Sequence, residues 1–217
     1  MISLFSQIIA NTLITAAIYA LIALGFALVY GTARFFHFAH GIVIAAGAYL
    51  VLFFHEHLSF PMPIAIFSAV LGGTALGCAM EFSIYRPLRR RRSSPLVLLL
   101  ASLGLYVVLQ NVLSLHFGDM PRSIPGMASV GSLSLLGAHI TPIQLFSVIA
   151  SILFLIAVAL FWKFTRIGKA CRAVANNQSL AATTGISPPS IFLWSFGTGS
   201  ALAAIAGLLI AMDTCMT

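Results

Sequence analysis

Two histidines three residues apart, His37 and His40 in FFHFAHG (35–41), are the first side chains whose types and spacing could do chemistry. At that spacing two imidazoles could share a metal ion or pass a proton. No Cys, Asp or Glu in the segment completes a ligand set, and Arg34 beside it disfavours a bound cation. Imidazoles could instead cap or bridge backbone groups freed by a sharp helix reversal, with Gly41 allowing close approach of a neighbour. His55, Glu56 and His57 form a second cluster, HEH, but three adjacent residues converge poorly on one ion and read as a solvated turn. Gln110 and Asn111 are uncharged amides in the outer half of an apolar run, so they face protein or a water-filled path. An interhelical hydrogen bond and a substrate contact both fit them. Glu81 lies about one turn before Arg86, the spacing of an interfacial ion pair.

Other chemistries are missing. HExxH, GxSxG, GxxxxGK[ST] and paired carboxylates within an apolar run do not occur. No metal site is expected, and ATP binding through a P-loop is excluded. The four acids, Glu56, Glu81, Asp119 and Asp213, avoid the middle of every apolar run. A proton- or sodium-coupled carrier usually places ionisable groups there. Cys78, Cys171 and Cys215 are scattered and suggest neither a disulfide framework nor a zinc site.

The elements that must position these residues are membrane spans. The 217 residues are 60% hydrophobic and 7% charged, with mean hydropathy +1.07. So few charges cannot cover a water-facing surface, whereas a soluble domain carries about 25%. Six apolar runs approach the ~20 residues of a helical span: 7–31, 36–54, 61–82, 95–115, 142–162 and 190–212. Pro61, Pro95 and Pro142 open three of them, where a missing N–H costs little, and Pro188 and Pro189 precede the last. The expected fold is all-α, a polytopic bundle of about six transmembrane helices in one domain.

Charge sets the orientation. Arg34 follows the first run; Arg86, Arg89, Arg90, Arg91 and Arg92 follow the third; Lys163, Arg166, Lys169 and Arg172 follow the fifth. Only Arg122 falls in an alternate loop. The positive-inside rule puts the basic loops in the cytoplasm and the N-terminus outside. The net charge of +7 is therefore explained by topology, and nucleic acid is not an expected partner. The link 31–36 is so short that the second run could enter as a broken or re-entrant segment.

Small residues recur every fourth position in three runs: Ala23, Ala27, Gly31; Ala69, Gly73, Gly77; and Gly199, Ala203, Gly207, Ala211. Each set makes a smooth face, read as internal bundle packing in preference to a subunit interface. Residues 164–189 are too long for a simple turn. KACRAVANNQSLAATT is helix-competent, and Gly185 is placed to end that helix. An interfacial helix on lipid heads would carry a bulky apolar face. Here small side chains dominate beside Val174 and Leu180, which suits docking of a cytoplasmic partner.

These stretches meet in one family. YALIALGFALVYG (19–31), FHFAHGIVIAAGAY (36–49), EFSIYRPLRR (81–90), LLLASLGLYVVLQN (98–111) and RIGKACRAVANNQSLAATTGIS (166–187) resemble the permease subunit of branched-chain amino acid ABC importers. That group also includes urea and short-amide permeases. His40, Gly41, Tyr85, Arg86 and Pro87 match its signature; Asn usually stands where this chain has His37. The resemblance implies a second permease subunit, two cytoplasmic ATPase subunits that bind ATP and Mg, and an extracytoplasmic substrate-binding protein. No cofactor is expected in this chain. It further implies the bacterial inner membrane, alternating access, and an ATPase-docking role for Gly168, Arg172, Ala173, Ala182 and Gly185 in loop 164–189. Family members usually continue past the point where this sequence stops, so C-terminal spans are expected to be missing. A non-functional remnant, a urea or short-amide permease and a passive channel for small solutes are the competing expectations.

Overall fold

A computed structural model describes residues 2–118, 133–135 and 138–214. Asp119, Arg122 and Cys215, named above, lie outside the described residues.

The chain is helical nearly throughout. Helix α1 (Ile2–Ala33) is followed by non-helical residues 34–39, then α2 (His40–Leu52), which a π-helical turn extends over Phe53–His57. Helix α3 (Met62–Met80) runs through a second π turn (Glu81–Tyr85) into α4 (Arg86–Arg90). Pro87 supplies the reason: its ring would meet the carbonyl of Ser83 in a regular helix, and the wider turn relieves that clash. Helix α5 (Pro95–Phe117) stops at Gly118, whose φ of 77° suits glycine. A short antiparallel pair, β1 (Leu133–Leu135) and β2 (Ala138–Ile140), sets Leu133 opposite Ile140. Helix α6 (Pro142–Phe164) opens on a capping box. Thr141 Oγ1 accepts from the Gln144 N–H at 3.2 Å, and Gln144 Oε1 accepts from the Thr141 N–H at 3.1 Å. Helices α7 (Arg166–Asn176), α8 (Gln178–Thr183) and α9 (Pro188–Thr214) complete the chain.

Among the described residues, five helical stretches are long and apolar enough to cross a membrane: α1, α3 through α4, α5, α6 and α9. The second apolar run is the exception. Residues 36–39 do not join its helix, so α2 alone has 13 residues. The sixth traverse is therefore a broken segment. It carries the chain from the end of the bundle holding Arg34 and Arg89 to the end holding Met62. By the positive-inside rule the arginine end is the one expected in the cytoplasm.

Helix α9 is the axis. Its faces pack on α1, α2 and α3 through small residues, as lipid-embedded helices require. A Cβ on Gly199 would stand 2.8 Å from the Gly25 carbonyl; one on Gly47 would stand 2.5 Å from the Ala204 backbone. Cβ atoms on Gly77 and Gly207 would overlap Ser200 and the Ile44 carbonyl. The small-residue stripes of the third and sixth apolar runs thus pack internally, as expected. The first does not. The buried face of α1 is Ile14, Ile18, Leu21, Gly25 and Val29, while Ala23 and Ala27 are exposed and a Cβ on Gly31 would meet nothing. A small-residue period marks a smooth face, and only the neighbour decides which face is covered. Helices α5 and α6 keep Leu100, Val108, Phe146 and Leu153 exposed, which is tolerable where lipid is the solvent.

Candidate functional site

The break between α1 and α2 organises the site. Arg34 turns the chain with φ 57°, and Phe35, His37 and Ala39 are buried behind it. Non-helical backbone at membrane depth must find partners within the protein. Ser102 on α5 provides two. Its Oγ accepts from the Phe38 N–H at 3.1 Å and lies 3.2 Å from the Phe36 carbonyl and 2.9 Å from that of Leu99, either of which its hydroxyl reaches. The His40 and Gly41 N–H groups reach the His37 and Phe38 carbonyls, both at 3.1 Å. So a serine, not the imidazoles, bridges the freed backbone, contrary to the expectation for His37 and His40. The sequence carried little signal for it, because one Ser in an apolar run reads as neutral.

The imidazoles are buried packing groups with polar edges. His37 Nδ1 lies 3.0 Å from the Tyr85 hydroxyl, and its ring packs edge-on against Phe196, 5.0 Å between centroids. His40 packs against Phe26, with the Ile22 backbone as a polar neighbour. Among the described residues no three His, Cys, Asp or Glu side chains converge on one point. The HEH residues form the π turn after α2, where His55 Nδ1 lies 2.9 Å from the Phe60 carbonyl and Glu56 and His57 are exposed.

The expected Glu81–Arg86 pair is replaced. Glu81, 1% exposed, pairs with Arg89, while Arg86 lies over the Phe82 ring at 5.5 Å. The π turn accounts for this, since its extra residue rotates Arg86 away and brings Arg89, two turns on, beneath the carboxylate. Arg89 also stands 4.0 Å from the Phe192 ring centroid.

A groove of 570 Å³ opens between α2 and α5. Gly41, Tyr49, Tyr106, Gln110, Asn111 and Ser114 line it. Gly41 faces Tyr106, the middle residue of α5, so α2 begins near half-depth beside the groove. A Cβ at Gly41 would touch Tyr106 at an ordinary 3.5 Å. Gly41 therefore keeps the groove open; it does not permit an unusually close helix contact. Asn111 Nδ2 donates to the Val107 carbonyl at 2.7 Å within its own helix. This uses one donor and leaves the amide oxygen toward other partners. Tyr49 and Tyr106 were not singled out by sequence reasoning, since aromatic residues in apolar runs read first as core.

At the arginine-bearing end of the bundle the loop 164–189 is two helices, not one. Asn177 breaks them with φ −153° and caps α8, its Oδ1 accepting from the Leu180 N–H at 3.0 Å. Gly185 follows α8 with φ 86° and ends it as expected. Gly168 is buried so closely on the Trp162 backbone that a Cβ would overlap it. Arg172 donates to the Trp162 and Lys163 carbonyls, capping α6. Ala173 is half-buried. These three hold the loop in shape, whereas Leu180, Ala182 and Gly185 form an exposed edge. Beneath that edge Cys171, Val174, Ala181, Ile191 and Phe192 make a buried cluster. Burial pushes the Cys171 thiol up to about 11, so it stays a neutral packing group.

Removing the Ser102 hydroxyl leaves the Phe38 N–H without its partner in non-helical backbone. Ser102→Ala should cost about 1–3 kcal/mol. Amide hydrogen exchange in detergent micelles checks this: exchange at Phe38 should accelerate selectively, with the Leu109 amide in the same helix unchanged.

A bundle of membrane-spanning helices, one of them broken at half-depth beside a polar-edged groove, defines a multi-pass membrane protein of the transport-permease class. The chain matches the permease component of branched-chain amino acid transport systems over residues 8–215 and belongs to that family. It is similar to the high-affinity branched-chain amino acid transport system permease protein LivH of Salmonella typhimurium, with 33% identity over 95% of this chain and 70% of that protein. BraD of Pseudomonas aeruginosa, described in the same words, is 32% identical over 96% of this chain and 71% of its own length. A probable branched-chain amino acid transport permease, LivH of Methanocaldococcus jannaschii, is 28% identical over 94% of this chain and 65% of its own. No solved structure matches the chain. The family is a transport permease component and not an enzyme.

Proposed function

We propose that this chain is the permease subunit of an ATP-binding-cassette importer that moves branched-chain amino acids inward across the bacterial inner membrane. The observation that carries the reading is the groove at the α1–α2 break. Ile42 and Leu113 offer apolar contact to an aliphatic side chain, and Gln110 and Asn111 offer amides to its polar end. A discontinuous helix beginning at half-depth is where transporters of several folds place substrate. An extracytoplasmic binding protein delivers the amino acid, and a second permease subunit completes the path. Two cytoplasmic ATPases, which bind ATP and Mg²⁺, dock on the Leu180–Ala182–Gly185 edge and drive alternating access. Gly168, Arg172 and Ala173 support that edge from below.

The test is assembly. Ala182→Trp changes an exposed site, so folding should move by no more than about 0.5 kcal/mol. Co-elution of the chain with its cognate ATPase subunits should nevertheless be lost, as should ATP-dependent leucine uptake. A variant that still co-elutes and transports would show the edge is not the docking surface.

A further inference from the structure

We propose that Arg34 is a positioning residue that ties the α7 docking helix to the α1–α2 break, so that displacement of α7 becomes displacement of the break and of the groove beside it. This rests on the docking reading of the α7–α8 loop.

Three observations carry it. First, the Arg34 guanidinium donates to the Ala175 carbonyl in the last turn of α7. Final helical carbonyls lack intrahelical partners and favour a cation, so the contact is charge-assisted. Second, Ala33 packs on two clusters at once: the docking cluster of Cys171, Val174 and Phe192, and the core cluster of Phe35, Val43, Tyr85 and Phe196. The end of α1 is thus where the two bodies meet. Third, the backbone is irregular here. The Arg34 N–H still bonds the Tyr30 carbonyl at 2.9 Å, but residues 35–39 belong to neither helix, and Arg34 itself sits at positive φ. Hinges are a few element-terminal residues that absorb backbone rotation. From Arg34 the chain passes directly through Phe35, whose ring lies 5.0 Å from Tyr85, to the start of α2 at the groove.

Ordinary helix capping predicts something different, and two variants separate the cases. Arg34→Gly removes the guanidinium while tolerating positive φ. Arg34→Lys keeps a charged donor. Leucine uptake and ATP hydrolysis are measured together in proteoliposomes holding the assembled transporter, after co-elution of the ATPases is checked. The Arg34→Gly complex should assemble and hydrolyse ATP within about twofold of the parent, while leucine moved per ATP falls roughly tenfold. Arg34→Lys should restore most of that ratio. An unchanged ratio in Arg34→Gly would overturn the proposal. So would a loss of assembly or of ATP hydrolysis in proportion to uptake, the mark of a purely structural cap. Failure of the parent chain to co-elute with the ATPases removes the docking reading and this proposal with it, and it is seen before uptake is measured.

Discussion

Arg89→Met should destabilise the bundle by about 3–5 kcal/mol, the range for leaving one half of a buried ion pair without its partner. Glu81 is almost fully buried, and Arg89 is its ion-pair partner, itself about one-sixth exposed. Once the guanidinium goes, the carboxylate has no water to return to. The variant also loses the cation held over Phe192, worth about 0.5–2 kcal/mol where desolvated. Detergent-titrated unfolding of the purified chain measures the change. Glu81→Gln combined with Arg89→Met should recover much of the loss, because the orphaned charge is then absent. The exposed neighbour Arg90 is the control, and Arg90→Met should stay within about 0.5 kcal/mol of the parent. Equal effects at 89 and 90 would refute the assignment of the pair.

Gly207→Ala is expected to be nearly as damaging although it adds a single methyl. The new Cβ would overlap the Ile44 carbonyl, part of a facing backbone that has no rotamer to offer. Overpacking of this kind costs about 1–3 kcal/mol, and a rigid backbone obstacle puts Gly207 at the upper end. Helix α2 would be displaced from α9, and its N-terminus borders the groove, so leucine uptake should fall together with stability. Gly104→Ala supplies the contrast. Nothing lies within 4 Å of a Cβ there, and alanine in a helix interior should gain up to about 1 kcal/mol. Thermal unfolding of the two variants side by side decides the matter. A neutral Gly207→Ala would mean that α2 and α9 are not in contact as described.

Much of this architecture was legible in the residue order because lipid imposes local rules. Each span must satisfy its own backbone, so span existence follows from twenty-residue windows, and Pro95 and Pro142 mark starts by a property of one residue. The expected side of each loop follows from Arg and Lys counts. Loop 164–189 stood out by length and composition, and Gly185 ends its last helix where expected. Less was legible where two distant segments share one atom. Ser102 serves Phe38 across 64 residues, and nothing in either neighbourhood announces it. The partner of Glu81 depended on a π turn that a 3.6-residue period does not contain.

The sequence by itself determined a membrane-embedded helical bundle, the expected side of its basic loops, the weakness of its second span and a long helix-competent segment at 164–189. Composition, proline and charge act over short range, where chain order is spatial order. The tertiary structure decided which small-residue stripe is buried, where α2 starts, that Arg89 answers Glu81 and that Arg34 reaches α7. Those outcomes depend on which faces meet, and helices without a hydrophobic drive to associate meet only through shape and the few polar groups left between them.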